Sequence, residues 1–148
     1  MNILRKMDTI LAAFGNVRAM ERQHVDTHTE ERIINISGIK VAESKDGQIW
    51  INFQELGGFL FMNATVLSNW SLDTNKGSKL IIYTDDFEIE IESDEKEIDS
   101  DFSNVSNTWI TQISFVIEQR EKEVMERRDF AEIDYLLKNE KIKMKVTK

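Results

Sequence analysis

Residues 87–93, Phe-Glu-Ile-Glu-Ile-Glu-Ser, alternate apolar and polar side chains without a break. A period of two places Ile89 and Ile91 on one face of an extended chain and Glu88, Glu90 and Glu92 on the other. A helix would scatter both sets around its circumference, so this segment predicts a strand with one buried and one wet face. The apolar run Leu80-Ile81-Ile82-Tyr83 lies just upstream, across Asp85-Asp86. Two runs joined by so short a link pair antiparallel. Any fold for this chain has to contain that hairpin.

Other segments extend the pattern. Ile33, Ile34, Ile36, Ile39 and Val41 are β-branched and predict a strand starting at Arg32, after a polar connection over 24–31. Gly38 marks a bulge in that strand, and Asp46-Gly47 a tight turn. The next strand, Gln48 to Leu56, directs Ile49, Ile51 and Phe53 one way and Trp50 the other. Gly57-Gly58 interrupts the chain, so Phe59 to Met62 and Ala64 to Leu72 read as two further strands. Asp73 to Ser78 is rich in turn residues. Residues 94–108 read as a long loop pinned by Ile98, Phe102 and Val105, and Trp109 to Ile117 as a strand.

Two stretches carry helical spacing. Ile3, Met7, Ile10, Phe14 and Val17 recur at intervals of four and three, which predicts an amphipathic helix over 1–23. Glu118 to Asp129 predicts a short exposed helix. Beyond it, Phe130 to Lys138 reads either as a continuation of that helix or, because Ile133, Tyr135 and Leu137 alternate, as a strand; Ile142, Met144 and Val146 alternate too, and the favoured reading is a hairpin turning near Asn139-Glu140.

The expected fold is therefore α+β: an N-terminal amphipathic helix, about eight mainly antiparallel strands in a curved sheet or partly closed barrel, and a short helix before a C-terminal hairpin. With 148 residues, no repeat and no low-complexity linker, the chain reads as one domain: helix over 1–23, antiparallel meander over 32–117, helix and hairpin over 118–148.

Composition narrows the chemistry. There is no cysteine, which removes disulfides, thiolate nucleophiles and cysteine-based metal sites. Arg5 and Lys6 are separated by Asp8 from a short apolar stretch, a poor match to a secretion signal, so a cytoplasmic location is expected. No apolar run approaches the roughly 18–20 residues needed to cross a bilayer, and no membrane association is expected. The net charge of −8 argues against nucleic-acid binding, which needs clustered Lys and Arg.

That charge is concentrated. Ten acidic residues stand against Lys96 alone between Asp85 and Asp101. Lys138, Lys141, Lys143, Lys145 and Lys148 give the C-terminus the opposite bias. If the two charged strands are neighbours, their side chains pair across the sheet. Otherwise Glu88, Glu90 and Glu92 present a contact surface for a protein partner of basic character.

Catalytic patterns are missing. The chain has no Gly-x-Ser-x-Gly elbow, no Gly-x-x-x-x-Gly-Lys loop and no Gly-x-Gly-x-x-Gly fingerprint. His24 and His28 are spaced like zinc ligands, yet no Glu follows His24, and the pair sits in a polar stretch. Asp73-x-Asn75-x-Gly77 lacks the remaining spacing of a calcium loop. Glu43-x-Lys45 is too short a motif to stand for a nuclease in an acidic chain. No metal and no cofactor is expected.

The expected role is thus a non-enzymatic protein-interaction module. Its alternative is a small-molecule carrier, with Trp50, Phe59, Trp70 and Trp109 lining an apolar pocket inside a barrel. Self-association through the stripe of the first helix is a further alternative.

Overall fold

The computed structural model describes residues 27–148. The helix expected over 1–23 lies outside the described residues, as does His24. Residues 27–34 form a helix, α1, followed by nine strands and a second helix. These are β1 (Ile39–Glu43), β2 (Gly47–Leu56), β3 (Phe59–Ser68), β4 (Lys79–Tyr83), β5 (Glu88–Glu92), β6 (Ser100–Ser103), β7 (Thr108–Ile117), α2 (Gln119–Arg127), β8 (Glu132–Leu136) and β9 (Lys141–Val146).

All strand pairs are antiparallel, in the order β5-β4-β8-β9-β1-β2-β3-β7-β6. The sheet curls into a half-barrel. Its curvature brings the end of β5 back to β7, where Ser93 bridges Phe115 and the Asp94 N–H donates to the Ser114 carbonyl at 2.8 Å.

Three strands of ten residues, β2, β3 and β7, form the broad wing. Equal length lets β3 pair along nearly its whole extent on both edges, from Leu56↔Phe59 to Gly47↔Ser68 on one side and Leu60↔Ile117 to Ser68↔Trp109 on the other. The narrow wing is the β4–β5 hairpin. The C-terminal hairpin joins the two wings, β8 pairing with β4 and β9 with β1. The expected meander is therefore corrected: β3 neighbours β7, not β4. Loop closure across that distance is repaid by the long shared ladder.

Inward-facing side chains form one continuous core that includes Ile49, Ile51, Met62, Val66, Leu80, Ile82, Phe115, Ile133, Tyr135 and Met144. Alternation puts them all on the same face of the sheet. Helix α2 links the wings on this side. Arg120 stands 5.1 Å from the Phe87 ring, Lys122 stands 5.6 Å from the Phe53 ring, and Arg128 Nη2 donates to the Lys40 carbonyl at 3.3 Å. Met125 is the one α2 residue fully buried, and burying such a side chain contributes about 1.5–3 kcal/mol. The helix starts at Glu118, whose N–H donates to the Glu121 carboxylate at 2.9 Å. It ends at Arg128, which takes a left-handed conformation (φ 56°).

Several local expectations change. Within the described residues, the polar connection expected to Glu31 and the first part of the strand expected from Arg32 give way to α1 over 27–34, and that strand survives as β1 from Ile39. The α1 side chains are held by the sheet: Thr29 is buried, and Glu30 Oε1 accepts from the hydroxyls of Ser103 and Ser106, each at 2.7 Å. These contacts override the β preference of Ile33 and Ile34. Phe59–Met62 and Ala64–Leu72 are not two strands but one, β3, because Asn63 continues the ladder opposite Asn52. The 94–108 loop contains β6, and Val105, expected to pin it, is 64 % exposed.

Three glycines owe their places to two different causes. Gly57 and Gly58 both adopt positive φ in the two-residue β2–β3 turn, where open space surrounds them. Gly38 (φ 104°) also lies against the Ile51 carbonyl, which a Cβ would strike.

Candidate functional site

β5 is an edge strand. Among the described residues it pairs with β4 on one side, and on the other it makes only the Ser93–Phe115 bridge beyond its end. Its alternation is kept: Ile89 and Ile91 are buried, and Glu88, Glu90 and Glu92 are exposed. Lys79 on β4 is the cation beside them, 3.8 Å from a carboxylate oxygen of both Glu90 and Glu92. At that distance and exposure each contact contributes about 0–1 kcal/mol. The strip thus keeps most of its negative charge beside a row of backbone groups that no described strand pairs.

The cross-sheet pairing foreseen for the two charged strands does not form, because β4 and β8 stand between β5 and β9. Lys143 instead pairs with β8, 3.6 Å from Glu132 and 3.4 Å from Asp134. Asp134 is the only buried carboxylate among the described residues, at 2 % exposure, although it sits on the outer face of the sheet. The Tyr83 hydroxyl donates to its Oδ2 at 2.8 Å. This hydrogen bond, with help from burial and the Asp134 charge, pushes the Tyr83 phenol up to about 12. The Asp134 charge raises the Lys143 ammonium in turn, burial acting against it.

The four aromatic residues expected to line a pocket are dispersed. Trp50 faces outward from β2, its indole N–H donating to Gln48 Oε1 at 3.2 Å. Phe59 lies at the hairpin end of β3, 60 % exposed. Thr65, the cross-strand partner of Trp50, is six residues further along β3, about 20 Å away. Trp109 pairs with Ser68 and packs on Phe102 with ring centroids 5.0 Å apart. Trp70 is near it: the Ser68 hydroxyl donates to the Trp70 carbonyl at 2.7 Å, and the Trp70 ring packs against the core. None of these four aromatics lines the surface hollows of about 490, 430, 580 and 160 Å³.

Sequence reading missed an amide-rich patch on the outer face of the broad wing. Asn63 Nδ2 donates to Asn52 Oδ1 at 3.2 Å, Asn52 Nδ2 to the Ser37 hydroxyl at 3.0 Å, and the Ser114 hydroxyl to Asn63 Oδ1 at 2.9 Å. Arg32 closes one end, 2.7 Å from Asp101 and 3.2 Å from Gln112 Oε1. The signal was present in the alternation, since Asn52, Asn63 and Ser114 all occupy outward positions. Which strands adjoin was not.

His28 is exposed on α1, and no three His, Asp or Glu side chains converge among the described residues. No helix among them is long and apolar enough to cross a membrane. Comparison with protein-family models, curated proteins and solved structures finds no match to the chain.

Proposed function

We propose that the protein is a non-enzymatic interaction module that receives a basic, extended segment of a partner protein along β5. The observation that carries this reading is the edge position of an acidic strand. Among the described residues its outer backbone edge lacks a partner strand, its three outward side chains are carboxylates, and one lysine stands beside them. Strand addition supplies main-chain hydrogen bonds, and alternate side chains supply selectivity. A segment with Lys or Arg at every second residue would meet Glu88, Glu90 and Glu92 in register, and the acidic field would speed the encounter.

The test combines affinity capture from a lysate of the source cells with amide exchange. The natural chain is compared with a variant carrying Glu88→Lys, Glu90→Lys and Glu92→Lys. A partner retained by the natural chain, released by salt, lost by the folded variant and protecting the β5 amides supports the proposal. A partner bound equally by both chains, or one that leaves β5 amides exchanging freely, overturns it.

A further inference from the structure

A different surface feature is cationic. The 490 Å³ hollow lies where the 73–78 loop enters β4, beside the ends of β5 and β8. Lys76, Lys79, Lys96 and Lys138 line it, with Glu92 as the only carboxylate in the wall. Four lysines from three chain segments thus border one hollow in a protein of net charge −8. Lys79 is engaged by Glu90 and Glu92, whereas Lys76, Lys96 and Lys138 form no ion pair among the described residues. Gathered like charges repel, and a bound anion relieves that repulsion.

The wall is built rather than incidental. The lysine-bearing loops are tied together by backbone bonds: Thr74 and Ile98 bridge, the Gly77 N–H donates to the Lys96 carbonyl at 2.8 Å, and the Ser93 N–H donates to the Ser78 carbonyl at 2.9 Å. The Ser93 hydroxyl accepts from the Ser78 N–H at 3.0 Å and donates to the Glu95 carbonyl at 2.8 Å. Gly77 adopts φ 76°, and a Cβ there would meet the Ser93 hydroxyl at 3.1 Å and the Lys96 stem at 3.4 Å. Ser78 also lines the hollow and is 5 % exposed, its hydroxyl directed to the Tyr135 phenol beneath.

We infer that this hollow binds a small phosphate-bearing organic molecule. The phosphate sits among Lys76, Lys96 and Lys138, since ammonium groups serve as compact point charges for phosphate oxygens. Leu136 and Leu137 line the same hollow and give the carbon part of the ligand an apolar wall. The volume falls within the range of about 300–1,000 Å³ usual for small-ligand sites. An extended polyanion such as nucleic acid is disfavoured, because the acidic strand begins at the rim with Glu92.

The experiment is a titration of the full chain with inorganic pyrophosphate, followed by amide chemical shifts at low ionic strength. Saturable shifts confined to residues 76–79, 93–96 and 136–138, weakened at least about tenfold by Lys96→Gln with Lys138→Gln, are expected. An unchanged thermal midpoint shows that the variant is folded, and Lys141→Gln with Lys145→Gln, away from the hollow, leaves binding intact. Shifts spread over all lysines, equal binding by both double variants, or no saturable binding overturns the assignment. A Glu88→Lys variant, changed outside the hollow and away from Lys79, keeps its pyrophosphate shifts whatever becomes of partner binding, so the two proposals fail separately.

Discussion

The Tyr83 hydroxyl reaches diagonally across the β4–β8 ladder to Asp134 Oδ2 at 2.8 Å, while Lys143 approaches the other carboxylate oxygen at 3.4 Å from β9. One carboxylate thereby ties three adjacent strands, at the seam where the C-terminal hairpin joins the narrow wing. Tyr83→Phe removes the neutral donor and Lys143→Met the countercharge. Both lower the urea midpoint, and Lys143→Met lowers it further, because a buried carboxylate suffers more from losing a charge than a hydroxyl. Equal midpoints for both variants and the natural chain would show that the seam does not depend on this cluster.

The chain has two tyrosines, and both phenols are raised to about 12, Tyr83 by the Asp134 hydrogen bond and Tyr135 by burial. An unfolded phenol releases its proton near pH 10. Folding therefore holds these protons, and the associated stability is complete below pH 10 and lost as pH rises toward 12. Lys143, also raised, acts in the same direction. Absorbance at 295 nm should stay flat in the native protein through pH 10, where the urea-unfolded chain is half converted to tyrosinate. A native titration already half complete at pH 10 would contradict the burial of Tyr135 and the Tyr83 bond.

Gly38 and Gly58 share positive φ but differ in surroundings. Gly58→Ala meets open space and carries only the left-handed penalty, about 1–2 kcal/mol. Gly38→Ala adds a collision with the Ile51 carbonyl and should exceed it by at least about 1 kcal/mol, loosening the β1–β2 pair. Equilibrium denaturation of both variants checks the order.

Phe115 is fully buried at the centre of the core, while Val105 is 64 % exposed on the β6–β7 turn. Phe115→Ala should destabilise by about 3–5 kcal/mol. Val105→Ala should stay within about 0.5 kcal/mol. Denaturation midpoints that place the two side by side would refute the burial pattern.

Period-two alternation was enough to locate β2, β5, β7 and β9 and to divide their inward from outward residues, because burial of one face of a strand is written into neighbouring positions; β8 stayed open between strand and helix, since its five residues follow closely on a helix. The break at Gly57-Gly58 was legible for the same local reason: two successive positive φ values cost glycine nothing sterically. β6 escaped notice because Ser100–Ser103 carries a single apolar residue, Phe102, and its strand character comes from pairing with β7. α1 escaped because Ile33, Ile34 and Ile36 favour strand locally, whereas the bonds of Glu30 and Arg32 to β6 and β7 hold a helix.

The alternation of residues 87–93 determined from sequence alone that Glu88, Glu90 and Glu92 share a wet face. Only the tertiary structure decided that this face belongs to a sheet edge, that Lys79 rather than Lys143 stands beside it, and that four lysines meet at its end. The physical reason is that side-chain direction follows from the backbone period within a strand, whereas adjacency between strands depends on which ladders are longest and which core they close, a property of the whole chain.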